Sequence, residues 1–240
     1  MAAGGLRARM QALDMLSNNL ANANTTGFKL DREFYSLFTG DGGGVDGGSA
    51  AQLPDIKGRW TDFSQGTLTV TKNPLDLALT GQGFFVVNGP SGPLYTRNGA
   101  FQLSSTGTLV TSDGYAVAGT GGAPIQTMSN ATIEIQPDGT VQQDGQTIGQ
   151  LQLANFTDSR VLAKMGSSYF KNSNPSVQPV ASTAVVAQGQ LEGSNVQLSE
   201  AAVGLVGVMR QSEMLQKAIL TTADMNKQAL QEVARVGGGV

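Results

Sequence analysis

The chain reads as an α+β protein, with an amphipathic helix at each end and a β-rich antiparallel middle. Three observations carry this. Near the start, Leu6, Leu13 and Leu20 stand seven residues apart, with Met10 between the first two. Near the end, Leu205, Met209, Ile219, Ala223, Leu230 and Val233 fall at alternating three- and four-residue steps or sums of them, with Ser212 and Asn226 in phase. Both are heptad-like seams. From Ile56 onward the texture changes to short β-forming runs bounded by turn residues. The two ends are therefore expected to pair in a coiled-coil-like manner, with the middle held out between them.

Composition narrows the function. Fifteen Lys plus Arg against eighteen Asp plus Glu give a net charge of −3, and only 14% of the 240 residues are charged. Nothing here draws the chain to nucleic acid or an anionic membrane. There is no Cys and no His. That removes disulfides, thiolate metal sites, the commonest general base and the commonest transition-metal ligand. No apolar run approaches the eighteen or so residues that cross a bilayer, and no basic segment followed by an apolar one marks a cleavable signal. Taken alone, these features lead to an expectation of a cytoplasmic protein.

The elements follow in order. Leu6 to Ala23 reads as a helix of about 27 Å, stopped by Asn22-Ala-Asn-Thr-Thr-Gly27. Alone in water such a helix is marginal, so it needs a partner. Residues 31–60 read as an extended, flexible linker, with the glycine/aspartate run Gly40 to Ser49 at its centre. The β-rich domain is placed at 61–188. Its expected strands include Thr67 to Val70, Leu75 to Leu79, Phe84 to Val87, Leu94 to Thr96, Thr108 to Thr111, Tyr115 to Ala118, Ile133 to Ile135, Thr140 to Gln142, Ile148 to Phe156 and a region around Tyr169 to Phe170. Asn98-Gly99, Asp113-Gly114, Asp138-Gly139 and Asp144-Gly145 suit type I′ hairpin turns. A barrel or irregular roll is expected. Residues 189–240 form a connection and the C-terminal helix, whose N-cap is expected at Ser199.

Several motifs have plain local explanations. Gly81-Gln-Gly83 leads into a strand, not a helix, so it reads as a turn or bulge instead of a phosphate loop. Asp41, Asp46, Asp55 and Asp62 match no calcium loop. Asp113, Asp138 and Asp144 each precede a turn glycine, and no Gly-x-Ser-x-Gly elbow is present. No catalytic, cofactor-binding or metal-binding residue is expected, and no small-molecule substrate. Ala201, Ala202, Gly204 and Gly207 would let other helices approach closely, and polar Ser212 and Asn226 would set register.

Six stretches then bring a family into view. Asn18-Asn-Leu-Ala-Asn-Ala-Asn-Thr-Thr-Gly-Phe-Lys29, Gln65-Gly66, Asn73-Pro-Leu-Asp-Leu-Ala-Leu-Thr-Gly-Gln-Gly-Phe-Phe85, Tyr95-Thr-Arg-Asn-Gly-Ala-Phe101, Gly107-Thr-Leu-Val-Thr-Ser-Asp-Gly-Tyr115 and Gly189-Gln-Leu-Glu-Gly-Ser-Asn-Val196 stand in order along the chain. Together they resemble the bacterial flagellar basal-body rod and hook family. Within them Asn18, Asn19, Asn22, Gly27, Phe28, Asn73, Pro74, Leu75, Asp76, Gly81, Gly83, Phe84, Ser194 and Asn195 match the family's pattern. The resemblance implies an inner tube of terminal helices (residues 1–30 and 189–240) and an outer β domain. It further implies helical stacking with copies of itself and with other rod and hook proteins, around a channel through which later subunits travel. Export would use the flagellar type III apparatus, without signal cleavage, and the chain would lie in the rod where the basal body spans the periplasm. Length and the segment Arg210 to Lys217 look more like proximal than distal rod or hook members. Relatives commonly carry several more residues before the Leu6 helix, which leaves open whether Met1 is the native start.

The expected subunit interface is the two seams: Leu6, Met10, Leu13 and Leu20, with Leu205, Met209, Ile219, Leu230 and Val233. The terminal helices are expected to be largely disordered in a dilute monomer. Two other classes compete: a secreted β-rich carbohydrate-acting enzyme or adhesin, which needs converging acids and a cleft, and a stand-alone coiled-coil oligomer.

Overall fold

The computed structural model describes residues 2–37, 54–127 and 132–237. The run from Gly40 to Ser49, with Asp41 and Asp46, lies outside the described residues. In chain order the elements are α1 (Ala2–Ala21), β1 (Asp31–Leu37), β2 (Pro54–Thr61), β3 (Leu68–Val70), β4 (Leu77–Thr80), β5 (Phe84–Gly89), β6 (Gly92–Thr96), β7 (Phe101–Leu103), β8 (Leu109–Thr111) and β9 (Ala116–Val117). They continue with β10 (Ile133–Ile135), β11 (Thr140–Gln143), β12 (Gln146–Gln150), β13 (Leu153–Asn155), a 3-10 turn (Ser159–Val161), β14 (Leu162–Met165), β15 (Tyr169–Asn172), β16 (Val180–Ala181), β17 (Val185–Gln188), β18 (Gln190–Glu192) and α2 (Leu198–Gly237). The α+β class with a β-rich middle is what the structure has.

The elements sort into two compact units. One comprises Met1–Leu20, Asp31–Trp60 and Gln197–Val240; the other, Ala21–Leu30 and Thr61–Val196. The second unit thus takes in ten residues of the stretch 1–30 read as part of the inner helices, and eight residues beyond 188. In the first unit, β1 and β2 pair with each other inside the stretch read as a linker.

Within the β unit the largest sheet runs β14-β15-β6-β5-β9-β8-β7, with β13 bridging β5 and β16. All its registers are antiparallel. Strand β5 is the centre. Phe84, Phe85, Val86 and Val87 are all buried, and successive side chains of a strand point to opposite faces. Phe85 and Val87 join Leu77, Leu79, Leu109 and Val117 in one cluster. Phe84 and Val86 join Tyr95, Phe156 and Phe170 in the other. A continuous apolar run marks a strand covered on both sides.

The last strands pair back to the first. β17 lies on β4 and β18 on β3, so residues 185–192 run antiparallel to 68–80. The ladder breaks where Gly189 (φ 74) faces Lys72 (φ 64), both left-handed, and the amides of Thr71 and Lys72 donate to the Gly189 carbonyl. That corner hid β17 and β18 from a reading by hydrophobic runs.

Of the four turn dipeptides, Asp144-Gly145 has the two positive φ angles (51 and 77) of a type I′ turn. Asp113 and Asp138 do not. Their glycines, at φ 83 and 84, instead close four-residue turns by donating to the carbonyls of Thr111 and Gln136. Asn98-Gly99 is no hairpin turn: Asn98 Oδ1 accepts from the Ala100 amide at 3.0 Å. Gly99 is there for space, since a Cβ would stand 1.8 Å from the Leu77 carbonyl oxygen. Gly99→Ala is therefore expected to cost about 1–3 kcal/mol or more by urea unfolding. Gly114→Ala, with open space but positive φ, should lose only about 1–2 kcal/mol.

Asp113 is occupied, because the Tyr169 hydroxyl donates to its Oδ2 at 2.6 Å. Burial, then this bond, pushes the Tyr169 phenol well above its ordinary range. A raised folded pKa contributes stability that is whole below the unfolded value, about 10, and is lost as pH rises above it. Between pH 10 and 11, the wild type should lose more unfolding free energy than Tyr169→Phe.

Candidate assembly interface

The helical unit is built on two helices of unequal length. α1 buries Ala12, Met15 and Asn19, one stripe at three- and four-residue steps. Of the sequence-predicted seam, Leu13 and Leu20 are half-buried and Met10 is exposed; the side chain of Leu6 lies outside the described ones. On α2 the sheltered stripe is Ala201, Leu205, Val208, Ser212, Leu215 and Ile219. Leu205, Ser212 and Ile219 of the expected seam lie on it. Met209, Ala223, Asn226 and Leu230 are exposed, and the side chain of Val233 lies outside the described ones. At Gly204 a Cβ would stand 3.7 Å from both Leu16 δ-carbons, so the small residue brings α2 against α1 there.

α2 has 40 residues and α1 has 20, about 60 Å against 30 Å. Half of α2 therefore has no helix among the described residues to lie along. Every residue from Thr221 to Gln231 is exposed. The exposed apolar residues are not one stripe. Leu198, Met209 and Leu220 recur at eleven-residue intervals, and so do Val203, Met214 and Met225. Eleven residues complete three turns, so these are two straight lines on different sides of the helix. Ser212 adds a buried hydroxyl with no hydrogen-bond partner among the described residues. α2 also begins two residues earlier than expected: the Ala201 amide donates to the Gln197 carbonyl at 2.9 Å. The cap position is thus Gln197, and Ser199 lies in the first turn.

In the β unit, the motif residues converge on a buried charged knot. Lys29 and Glu192 are both fully buried and meet at 2.5 Å. Arg97, 3% exposed, donates from Nη1 to the other Glu192 oxygen at 3.1 Å and from Nη2 to the Gly81 carbonyl at 2.6 Å. Lys29 also donates to the Ser64 carbonyl (2.6 Å), and the Gly66 amide to Glu192 Oε1 (2.9 Å). Burial pushes the Lys29 amine below its ordinary value, against the opposing pull of Glu192. Arg97 Nε is left without a partner among the described residues. The knot draws on five separated motifs, and three of them each supply one charge.

The motif's polar and small residues fix the chain around it. Asn195 Oδ1 accepts from the Leu30 amide (2.8 Å), and its Nδ2 donates to the Asp62 carbonyl (2.8 Å). The Gly27 amide donates to the Glu192 carbonyl at 2.7 Å, and a Cβ on Gly27 would stand 2.3 Å from the Asn98 nitrogen. Phe28 is fully buried under the Lys164 ammonium, 4.0 Å from its ring centre. Asn22 accepts from Thr25, and Ser194 Oγ accepts from the Val196 amide. In the helical unit Asn19 clamps Asp31, donating to its carbonyl and accepting from its amide. Asn18 is exposed on α1.

The remaining motif residues are turn-builders. Asn73 Oδ1 accepts from the Leu75 amide while its Nδ2 donates to Asp76. The Pro74 carbonyl accepts from Gln188. Gly81 and Gly83 have positive φ, and a Cβ at Gly83 would stand 2.1 Å from Ser182 Oγ. Phe84 packs on Phe63 and Phe170. Asp138 is held by the Thr140 amide and hydroxyl. Asp113, Asp138 and Asp144 thus serve their own turns or neighbours. Among the described residues no group of three or more acidic side chains could hold a metal, and no helix is long and apolar enough to cross a membrane.

Comparison with known proteins points one way. Residues 1–29 match the family described as flagella basal body rod protein, residues 78–143 the flagellar hook protein FlgE/F/G D1 domain, and residues 187–232 the flagellar basal body rod FlgEFG protein C-terminal. The flagellar basal-body rod protein FlgF of Caulobacter vibrioides is 34% identical over 227 residues, covering 93% of this chain and 92% of its own. FlgG of the same bacterium is 34% identical over 268 residues, covering 97% of each chain. FlgG of Bacillus subtilis is 32% identical over 258 residues, covering 96% of each.

Proposed function

The chain belongs to the flagellar basal-body rod protein family as a structural rod subunit, and from that premise we propose that α1 and α2 are its assembly elements. They pack against copies of the same chain and against other rod and hook proteins, while the β unit faces outward. The observation that carries this is α2 itself. Its apolar residues lie on more than one side, and a helix apolar on several sides is one surrounded by neighbours. A discrete two-stranded coiled coil needs a single seam. A tube of close-packed helices needs several, which favours a helical stack over a stand-alone oligomer.

On this reading the predicted seam residues Leu6, Met10, Leu13, Leu20, Leu205, Met209, Ile219, Leu230 and Val233 are desolvated between subunits. Ser212 would find its hydrogen-bond partner there. The stacked helices would enclose the export channel, transmit torque and run through the periplasm. Delivery would use the flagellar type III apparatus without removal of a signal. A proximal position is favoured by how the chain aligns: with FlgF of Caulobacter vibrioides 227 positions take in 93% of the 240 residues, almost without insertions, whereas with FlgG of the same bacterium 97% of them need 268 positions. The test is deletion of the gene in its own bacterium, with basal bodies examined by electron microscopy. Rods that fail to complete the proximal segment are expected; rods with a complete proximal segment that lack only the distal part would make the chain a distal subunit, and complete rods with normal swimming would overturn the reading.

A further inference from the structure

Lys29 and Arg97 are both buried against Glu192, and the Arg97 charge disfavours that of Lys29. The carboxylate that hydrogen-bonds both is Glu192, which follows Lys29 by 163 residues and Arg97 by 95. Asp62 contributes a smaller attraction to Lys29. The same late segment supplies Asn195 to the Leu30 amide and the Glu192 carbonyl to the Gly27 amide. It also supplies β18 and, just before it, β17, the partners of β3 and β4.

We propose that the Lys29–Glu192–Arg97 knot is a closure lock that keeps the β unit open until the segment carrying Glu192 is in place. Without that segment, closing the unit would bury two cations against a single weaker partner, so premature closure is opposed as well as unsupported. The first and last residues of the unit then lock in one step. In a subunit delivered as an unfolded chain, the lock would hold the β unit, Ala21–Leu30 with Thr61–Val196, open until the segment carrying Glu192 arrives. That use rests on the rod-subunit reading; the lock itself does not.

Two measurements on the full chain test it. Hydrogen exchange in Glu192→Gln is expected to show at least a hundredfold loss of protection across β5 and β6. Lys29→Met/Glu192→Gln should recover at least tenfold of that loss, because it removes one of the two uncompensated cations. A double variant no better protected than Glu192→Gln, whether folded or not, would reduce Glu192 to an ordinary packing residue and overturn the lock. Pulse-labelled exchange during refolding of the wild type should show β5, β6 and β18 becoming protected in one phase. Protection of β5 and β6 tenfold or more ahead of β18 would overturn it equally. Neither readout involves motility, so failure of the rod reading would leave both unchanged.

Discussion

Leu230→Asp is expected to leave the β unit at its full stability and to abolish rod assembly. Leu230 is 72% exposed in the single chain, so the substitution removes no contact that the isolated subunit makes. In an assembled tube the same side chain would be buried, and each Leu so buried contributes about 1.5–3 kcal/mol. The replacement also asks the interface to bury a carboxylate, which is far more unfavourable than losing the Leu. Every copy carries the change, so the effect multiplies along the rod and swimming should fall to zero. Leu205→Asp should do the same, with some loss inside the helical unit because Leu205 is already half-buried. Lys217→Ala, an exposed change on the same helix, should swim normally. The paired measurement is thermal unfolding of each purified variant beside swarm-plate motility.

Glu192→Ala should unfold the β unit by about 3–5 kcal/mol, the cost of breaking a buried ion pair by removing one partner. Total stabilities are about 5–15 kcal/mol, so much of the subunit would be unfolded at growth temperature. The size of the effect comes from what remains: two buried cations left with carbonyl acceptors but no carboxylate, and the Gly66 amide deprived of its acceptor. The exposed pair Arg160–Asp158 is the control, and Arg160→Ala should leave the urea midpoint unchanged, as surface pairs do.

Much of the class was legible in the sequence because it rests on periodicity. Phe84 to Val87 announced a buried strand, and the heptad spacing announced α2 within a residue or two at its start. The strands that escaped notice, β1, β2, β7, β14 and β16 to β18, are short, polar or broken by Gly189, and β17 and β18 exist because distant partners pair with them. The knot escaped for the same reason. Lys29, Arg97 and Glu192 each stood inside a quoted motif, yet no local pattern links residues this far apart. A signal was available: in a chain only 14% charged, three charges set within otherwise neutral motifs invite the question of what neutralises them. The stripe sheltered within the single chain overlaps the expected seam only in part. Leu205, Ser212 and Ile219 fall on the sheltered stripe, whereas Met209 lies on another face, because steps of three and four admit neighbouring stripes until burial chooses between them.

The most direct measurement is amide exchange of α2 in the dilute subunit and again in isolated basal bodies. If neighbouring subunits stabilise this helix, residues 221–231 exchange freely in the subunit and gain at least a hundredfold protection in the rod, while β5 and β6 are protected in both. Equal exchange of residues 221–231 in the two states would mean that the helix gains no partner on assembly, and α2 would not be the element that builds the rod.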